Sequence, residues 1–411
     1  MTICLVGSEM CIRDRPIAVP TKDDGYRFID VNNDGFVDMI RGFCDNADTA
    51  DCDIGDSDFE RKAWINDKGN GWIENNSWLP PIYFSQWIFN NSKSNVTNSG
   101  VQFGYLNDDG FIDIVHAQED EDRQVWMNNG SGWDESSMNV PVDFIRNYTK
   151  YEDTGVRLID VNGDNLADIV FADQFEEVNN SNPRKTWLNQ GGSWSTVPNE
   201  NWTLPTFLVA EADNLKRTDA SVRFLDFNAD GLIDIIDTRE DKAWINNGTG
   251  WVEDNSWFPS GGPSVNFYTG PGDGENDGDL GWRITDVNGD GMIDFVKSRD
   301  DHDYRALINT NGKSWSDNSS WHNTEDFVGK FAGVDSGARP TDIDGDGLID
   351  IIGDGAQTRS NNAVLAYFLT DVHNGIGGVL HIEYARATEF ENYGNLGSVS
   401  YTHLRAHETD R

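Results

Sequence analysis

The chain has 411 residues, 71 Asp and Glu against 31 Lys and Arg, a formal charge of −40, and 37% hydrophobic and 11% aromatic residues. A charge this negative repels phosphate backbones and anionic lipid surfaces, no apolar run reaches the ~18 residues of a spanning helix, and the apolar share is too high for a disordered acidic tail. Nucleic acid is therefore not an expected partner, nor is membrane insertion expected, and a chain beyond the ~250–300 residues of one core implies several domains or a repeat array.

In chain order, residues 1–15 (MTICLVGSEMCIRDR) share no spacing with the central part of the chain, and neither do residues 398–411 (SVSYTHLRAHETDR). Both resemble translated sequencing-library adapter, so they are set aside, and the native start and any signal segment are expected to lie elsewhere in a longer protein. Cys44 and Cys52 stand eight residues apart in CDNADTADC, spaced for a local disulfide suited to an oxidising compartment or present as two free thiols.

From residue 16 to 372 one phrase recurs six times: RFIDVNNDGFVDMI, FGYLNDDGFIDIV, RLIDVNGDNLADIV, RFLDFNADGLIDII, RITDVNGDGMIDFV and RPTDIDGDGLIDII, with loops opening at residues 30, 105, 160, 226, 286 and 342. A period of about 62 residues indicates units that bury their apolar faces only against one another. Between the copies lies a second phrase, KAWINDKGNGW, QVWMNNGSGW, KTWLNQGGSW, KAWINNGTGW and RALINTNGKSW, whose Asn and Gly suit the turn of an antiparallel hairpin. Each unit thus reads as strand, acidic loop, strand and hairpin, without sustained helical periodicity. The expectation is an all-β chain forming a β-propeller of about six four-stranded antiparallel blades, with seven as the alternative count. The sixth unit lacks the Trp hairpin, and residues 363–370 and 379–384 are its candidate substitutes. Residues 373–397 form a junction.

The acidic loop has the pattern D-x-[N/D]-x-D-G-x-x-D, with side-chain oxygens at positions 1, 3, 5 and 9 and a turn residue at 6, a spacing that suits a hard cation of flexible coordination. The candidate metal ligands are Asp30, Asn32, Asp34 and Asp38 in the first copy and Asn107, Asp109 and Asp113 in the second, where Tyr105 replaces the first Asp. The third copy supplies Asp160, Asn162, Asp164 and Asp168, and the fourth Asp226, Asn228, Asp230 and Asp234. The fifth supplies Asp286, Asn288, Asp290 and Asp294, and the sixth Asp342, Asp344, Asp346 and Asp350. Two carboxylates ~4 Å apart repel by roughly 4 kcal/mol at an effective dielectric of 20, so about five to six calcium ions are expected; an Asx-rich surface turn needing no metal is the plainer reading of any single copy.

These loops resemble FG-GAP/VCBS repeats, the calcium-loop propeller repeats of integrin α-chain heads and many bacterial surface proteins. The ending HNGIGGVLHIEYARAT, residues 373–388, resembles the junction that leads into a YD/RHS-repeat shell in proteins such as the B components of insecticidal toxin complexes. The resemblance implies a non-enzymatic docking or gating module of a secreted or surface protein, with a protein partner or an adjoining shell. The alternative is a glycan-binding lectin or adhesion module that uses the hairpin Trp side chains as stacking platforms; the competing reading of those Trp is packing between sheets. An Arg three residues before the loop (Arg27, Arg157, Arg223, Arg283, Arg339, with Gln102 in the second copy) either lines the axial channel or pairs with acidic neighbours. No Ser-His-Asp order, H-E-x-x-H or Gly-rich phosphate loop occurs, so no enzymatic activity is expected.

Overall fold

The computed structural model describes residues 25–45, 59–68, 71–90, 93–119, 123–146, 152–174, 183–212, 216–258, 265–269, 278–300, 302–310, 313–322, 326–329, 336, 338–343, 348–352, 358–359, 371–373, 379–384 and 404–408. The first repeat forms β1 (Tyr26–Ile29), β2 (Asp38–Cys44), β3 (Phe59–Asn66) and β4 (Trp72–Glu74), and then the hairpin β5 (Ser85–Asn90) and β6 (Lys93–Asn98). The second forms β7 (Val101–Gly104), β8 (Asp113–His116), β9 (Gln124–Asn128) and β10 (Trp133–Ser136), then the hairpin β11 (Ile145–Arg146) and β12 (Glu152–Asp153). The third has β13 (Val156–Ile159), β14 (Asp168–Ala172) and β15 (Arg184–Trp187), then β16 (Val209–Ala212) and β17 (Lys216–Asp219). The fourth has β18 (Val222–Leu225), β19 (Asp234–Asp237), β20 (Lys242–Asn246) and β21 (Trp251–Glu253), then β22 (Tyr268–Thr269) and β23 (Gly278–Asp279). The fifth has β24 (Trp282–Thr285), β25 (Asp294–Lys297), β26 (Arg305–Asn309) and β27 (Trp315–Asp317), and the sixth β28 (Arg339–Thr341), β29 (Asp350–Ile352) and β30 (Thr358–Arg359).

The architecture is an all-β propeller with five small antiparallel blades of three or four strands, rather than the six four-stranded blades expected. The difference lies in the first repeat, whose long second strand continues past the blade and pairs in parallel with Ser85 and Gln86, drawing β5 and β6 into one six-stranded sheet. Elsewhere the same parallel contact stops at a single bridge, as between Gln118 and Ile145, Asp173 and Val209, and Arg299 and Val328. The third blade loses its fourth strand because the two consecutive glycines Gly191 and Gly192 leave only the Asn189–Trp194 bridge. β31 (Asp371–His373), β32 (Val379–Tyr384) and β33 (Leu404–Glu408) form a separate sheet, so 379–384 does not supply the missing hairpin of the sixth repeat as expected; residues 363–370 lie outside the described residues.

The core is a series of clusters, each between successive repeats. One joins Ile40, Ala63 and Trp78 to Val101, Ile114 and Trp126, another Val115 and Phe144 to Ile169 and Trp187, and a third Val170 and Trp202 to Ile235 and Trp244. Ile343 of the sixth repeat packs against Phe28 and Trp72 of the first, which closes the ring. Full burial of side chains this large contributes about 1.5–3 kcal/mol each. The Trp of the hairpin phrase take part in this packing. Trp78 meets Trp133 of the next blade edge-on at 5.9 Å, and Trp202 meets Trp251 at 5.7 Å. In the second and fourth copies the glycine before the second Trp is required by that approach, since a Cβ at Gly132 would sit 2.9 Å from the Ser77 carbonyl oxygen and one at Gly250 3.0 Å from that of Asn201.

A polar link repeats beside the apolar one. In four repeats an Asn at or just after the end of the third strand donates its Nδ2 to a backbone carbonyl of the preceding repeat: Asn128 to Val31 at 2.8 Å, Asn189 to Leu106 at 3.0 Å and Asn246 to Val161 at 2.8 Å. Asn66 reaches Ile343 at 3.0 Å, across the closure. Replacing Asn246 with Ala leaves a buried carbonyl without its donor, which costs about 1–3 kcal/mol; the urea midpoint should fall accordingly, while exposed Asn247→Ala should change stability by less than about 0.5 kcal/mol. Equal midpoints for the two variants would remove the link from the account.

Candidate metal centre

Each acidic loop connects the first two strands of its repeat, and its ninth residue begins the second strand. Asp38, Asp113, Asp168, Asp234 and Asp294 are all 0% exposed and Asp350 is 1% exposed. Their two oxygens do two jobs. Asp38 Oδ2 accepts the Val31 amide at 3.0 Å, and Oδ1 accepts the Asn66 amide from the third strand at 2.8 Å. Asp113 does the same with Leu106 and Asn128, Asp168 with Val161 and Asn189, Asp234 with Phe227 and Asn246, and Asp294 with Val287 and Asn309. Asp350 Oδ2 accepts the Ile343 amide.

The outer part of the loop is held by its own Asx side chains. In the fourth copy Asp226 accepts the amides of Asp230 and Gly231 at 3.2 and 2.9 Å, Asn228 Oδ1 accepts that of Asp230, and Asp230 accepts that of Leu232. The first, third and fifth copies repeat this pattern around Asp30, Asp160 and Asp286. In the second, Tyr105 offers no such acceptor, and only the turns at Asn107 and Asp109 remain. Asp342 and Asp350 lie among the described residues of the sixth copy, whereas Asp344 and Asp346 lie outside them. Left-handed backbone at position 6 is realised by Gly231 at φ 85° and by Asn165 at φ 66°. Position 4, which the loop pattern leaves open, is left-handed too, at Asn33, Gly163, Gly289 and, against its preference, Ala229 at φ 58°.

Burial sets the electrostatics. The Asp38 carboxyl, whose ordinary value is 3.8, is pushed up to about 8, because desolvation and the nearby Asp30 and Asp34 charges outweigh the two amide bonds. The same balance raises Asp168 and Asp294 to about 7, and Asp113 and Asp234 to about 6. Asp30 rises to about 6, mainly by burial and secondly through Asp34.

Among the described residues, no group of three or more His, Cys, Asp or Glu side chains is placed to hold a metal ion. The donor chemistry nevertheless suits calcium, because each loop offers carboxylate and amide oxygens, and a carboxylate has about four lone-pair sites, of which the amide bonds use only part. A bound cation would relieve the buried charge at position 9.

No protein-family model matches the chain, and no curated protein matches it. Among solved structures, the chain is similar to an Agrocybe aegerita lectin described for specific recognition of non-reducing terminal N-acetylglucosamine, at 13% identity and a TM-score of 0.42, covering 71% of this chain and 64% of that one. It is also similar to a mutant Tc holotoxin pore of Photorhabdus luminescens, at 15% identity and a TM-score of 0.47, covering 89% of this chain and 15% of that one. A third similarity is to the V. cholerae biofilm matrix protein Bap1, at 12% identity and a TM-score of 0.25, covering 72% of this chain and 43% of that one. The chain thus spans less than two thirds of each of these proteins, and values this low carry no argument about its chemistry.

The loop itself dictates two outcomes. Because folding raises these carboxyls above 3.8, the folded state binds more protons than the unfolded one; the stability gained is complete below about pH 4 and is lost as pH climbs through about 6 to 8. Melting temperatures measured in chelator should therefore fall from pH 5 to pH 8, and a rise would contradict the burial argument. Ala229→Gly should raise stability by about 0.5–1 kcal/mol, since left-handed backbone costs a non-glycine residue roughly 1–2 kcal/mol and the extra freedom of the unfolded chain returns about half of that.

Proposed function

We propose that the chain is a non-enzymatic, calcium-stabilised β-propeller of the FG-GAP/VCBS kind, acting as a docking or gating module of a secreted or surface protein with an RHS-type shell. One observation carries the reading: at five loops the fold buries an aspartate completely and raises its pKa, a charge that two amide donors offset only in part and that a bound cation would neutralise. Cys44 is disulfide-bonded, which agrees with an oxidising compartment; Cys52, its expected partner, lies outside the described residues. Among the described residues no helix is long and apolar enough to cross a membrane.

A second reading, glycan binding, is favoured by the Trp that packing leaves half-buried: Trp72, Trp133, Trp251, Trp257, Trp315 and Trp321. Trp64, Trp78, Trp126, Trp187, Trp194, Trp202 and Trp244 are buried and offer no stacking face. A broad glycan array separates the two readings, with silence across it supporting the docking module.

The calcium test uses the loop's division of labour. Calcium at a hundredfold excess over its dissociation constant adds about 2.7 kcal/mol per site, so chelation should lower the melting temperature by many degrees. Asp230→Ala, in the outer loop, should remove about one bound ion with little change in the chelated protein. Asp234→Ala should weaken the fold with or without calcium, because two buried amides lose their acceptor. An unchanged melt in excess chelator would refute the proposal.

A further inference from the structure

Among the described residues, the wall of the axis carries an arrangement that recurs in three repeats and is incomplete in the third. The first strands of successive repeats approach one another there, as β7 does β13, and each Arg near the start of such a strand is tied to the Asp four residues earlier: Arg157 to Asp153, Arg223 to Asp219 and Arg283 to Asp279. The planar face of the guanidinium is covered by a phenyl ring from the segment that comes after the blade. Arg27 lies 5.6 Å from the centre of Phe84, Arg223 4.6 Å from Phe267, and Arg283 5.2 Å from Phe327. The equivalent position, recognised by an amide that bonds the carbonyl at the end of the second strand, is Phe144 after the second repeat and Leu208 after the third.

Among the described residues, no ring covers Arg157. Beside it Gln102 replaces the arginine of the second repeat and folds onto β13, donating to the Val156 carbonyl at 2.8 Å and accepting the Leu158 amide at 2.9 Å. A cavity of about 340 Å³ opens here, lined by Gln102, Arg157, Leu208, Asp219, Arg223 and Phe224 among others. The Arg157 side chain is 35% exposed. Arg223, which lines the same cavity, gives three of its five N–H donors to Asp219 and the Val222 carbonyl, which leaves two for a guest.

We infer that this cavity is a binding site for a small aromatic carboxylate, whose ring takes the place of the missing phenyl over Arg157 and whose acid group, coplanar with that ring, meets the remaining N–H donors of the neighbouring Arg223. Cation–π stacking on the guanidinium selects the ring, and the charged hydrogen bond fixes the acid. The site uses none of the loop oxygens, so it stands or falls independently of calcium.

Calorimetric titration of the whole chain with benzoate, and with cyclohexanecarboxylate as the non-aromatic control, tests this. Benzoate should saturate one site and bind at least tenfold more tightly than the control. Leu208→Phe restores the residue used in the other repeats; it should fold, melt at a higher temperature and lose benzoate binding. Arg157→Gln, which copies the solution at Gln102, should weaken binding at least tenfold and keeps the test open should Leu208→Phe fail to fold. Absence of saturable benzoate binding, equal binding by Leu208→Phe, or equal affinity for both probes would overturn the inference.

Discussion

The structure depends on one buried carboxylate per repeat. The aspartate at loop position 9 is short enough to stay beside its own backbone and has two oxygens, so it accepts the amide at position 2 of its loop and the amide of the Asn that ends the third strand, as Asp234 does for Phe227 and Asn246. The position-2 peptide is bound from both sides, because its carbonyl takes the Nδ2 of the Asn in the next repeat, as Val161 takes Asn246. Loop, blade and neighbouring blade thus share one hydrogen-bonded chain, and around the closure it runs from Asp350 through Ile343 to Asn66. Buried backbone groups must be paired, and this arrangement pairs them where regular strand pairing ends.

That solution has an electrostatic cost. A carboxylate with two amide donors ordinarily keeps a low pKa, yet Asp38 rises to about 8, because removal from water and the two acidic neighbours outweigh both bonds. The structural and the ionic roles of the loop are therefore linked without being the same. Position 9 is needed for the fold at any ionic condition, whereas positions 1, 3 and 5 shape the outer loop, whose carboxylates help to raise position 9, as Asp30 and Asp34 do at Asp38. The second repeat shows the separation: Tyr105 replaces the first acid and the outer loop loses its central acceptor, while Asp113 keeps both amide bonds.

The parts of the fold legible in the sequence are those that recur in identity as well as in place. The loops and the hairpin phrase point to the propeller and to the turn at position 6, since Gly and Asn there answer a local backbone demand. The inter-repeat bond of Asn128 or Asn246 is hidden, because an Asn before a Gly-rich turn already has a local reason to be there and in fact also serves it, accepting the amide of Gly130 or Gly248. The hairpins that connect blades share little sequence, so the pairing of β2 with β5, and with it the blade count, has no sequence signature. Ala229 gives no sign of its left-handed backbone, which the surrounding Asx bonds impose.

The axial arginines carry a signal of a different kind, a covariation within the repeat. The pattern D-x-[G/S]-x-R holds at Asp153–Arg157, Asp219–Arg223 and Asp279–Arg283, and in the second repeat both charged residues change together, to Asn98 and Gln102. The first residue of the pattern accepts the amide two positions on, as Asn98 does for Gly100 and Asp153 for Gly155, so it shapes the turn as well as neutralising the arginine. Paired substitution preserves both tasks without charge. In these three repeats the arginine of the first strand is thereby compensated within its own repeat.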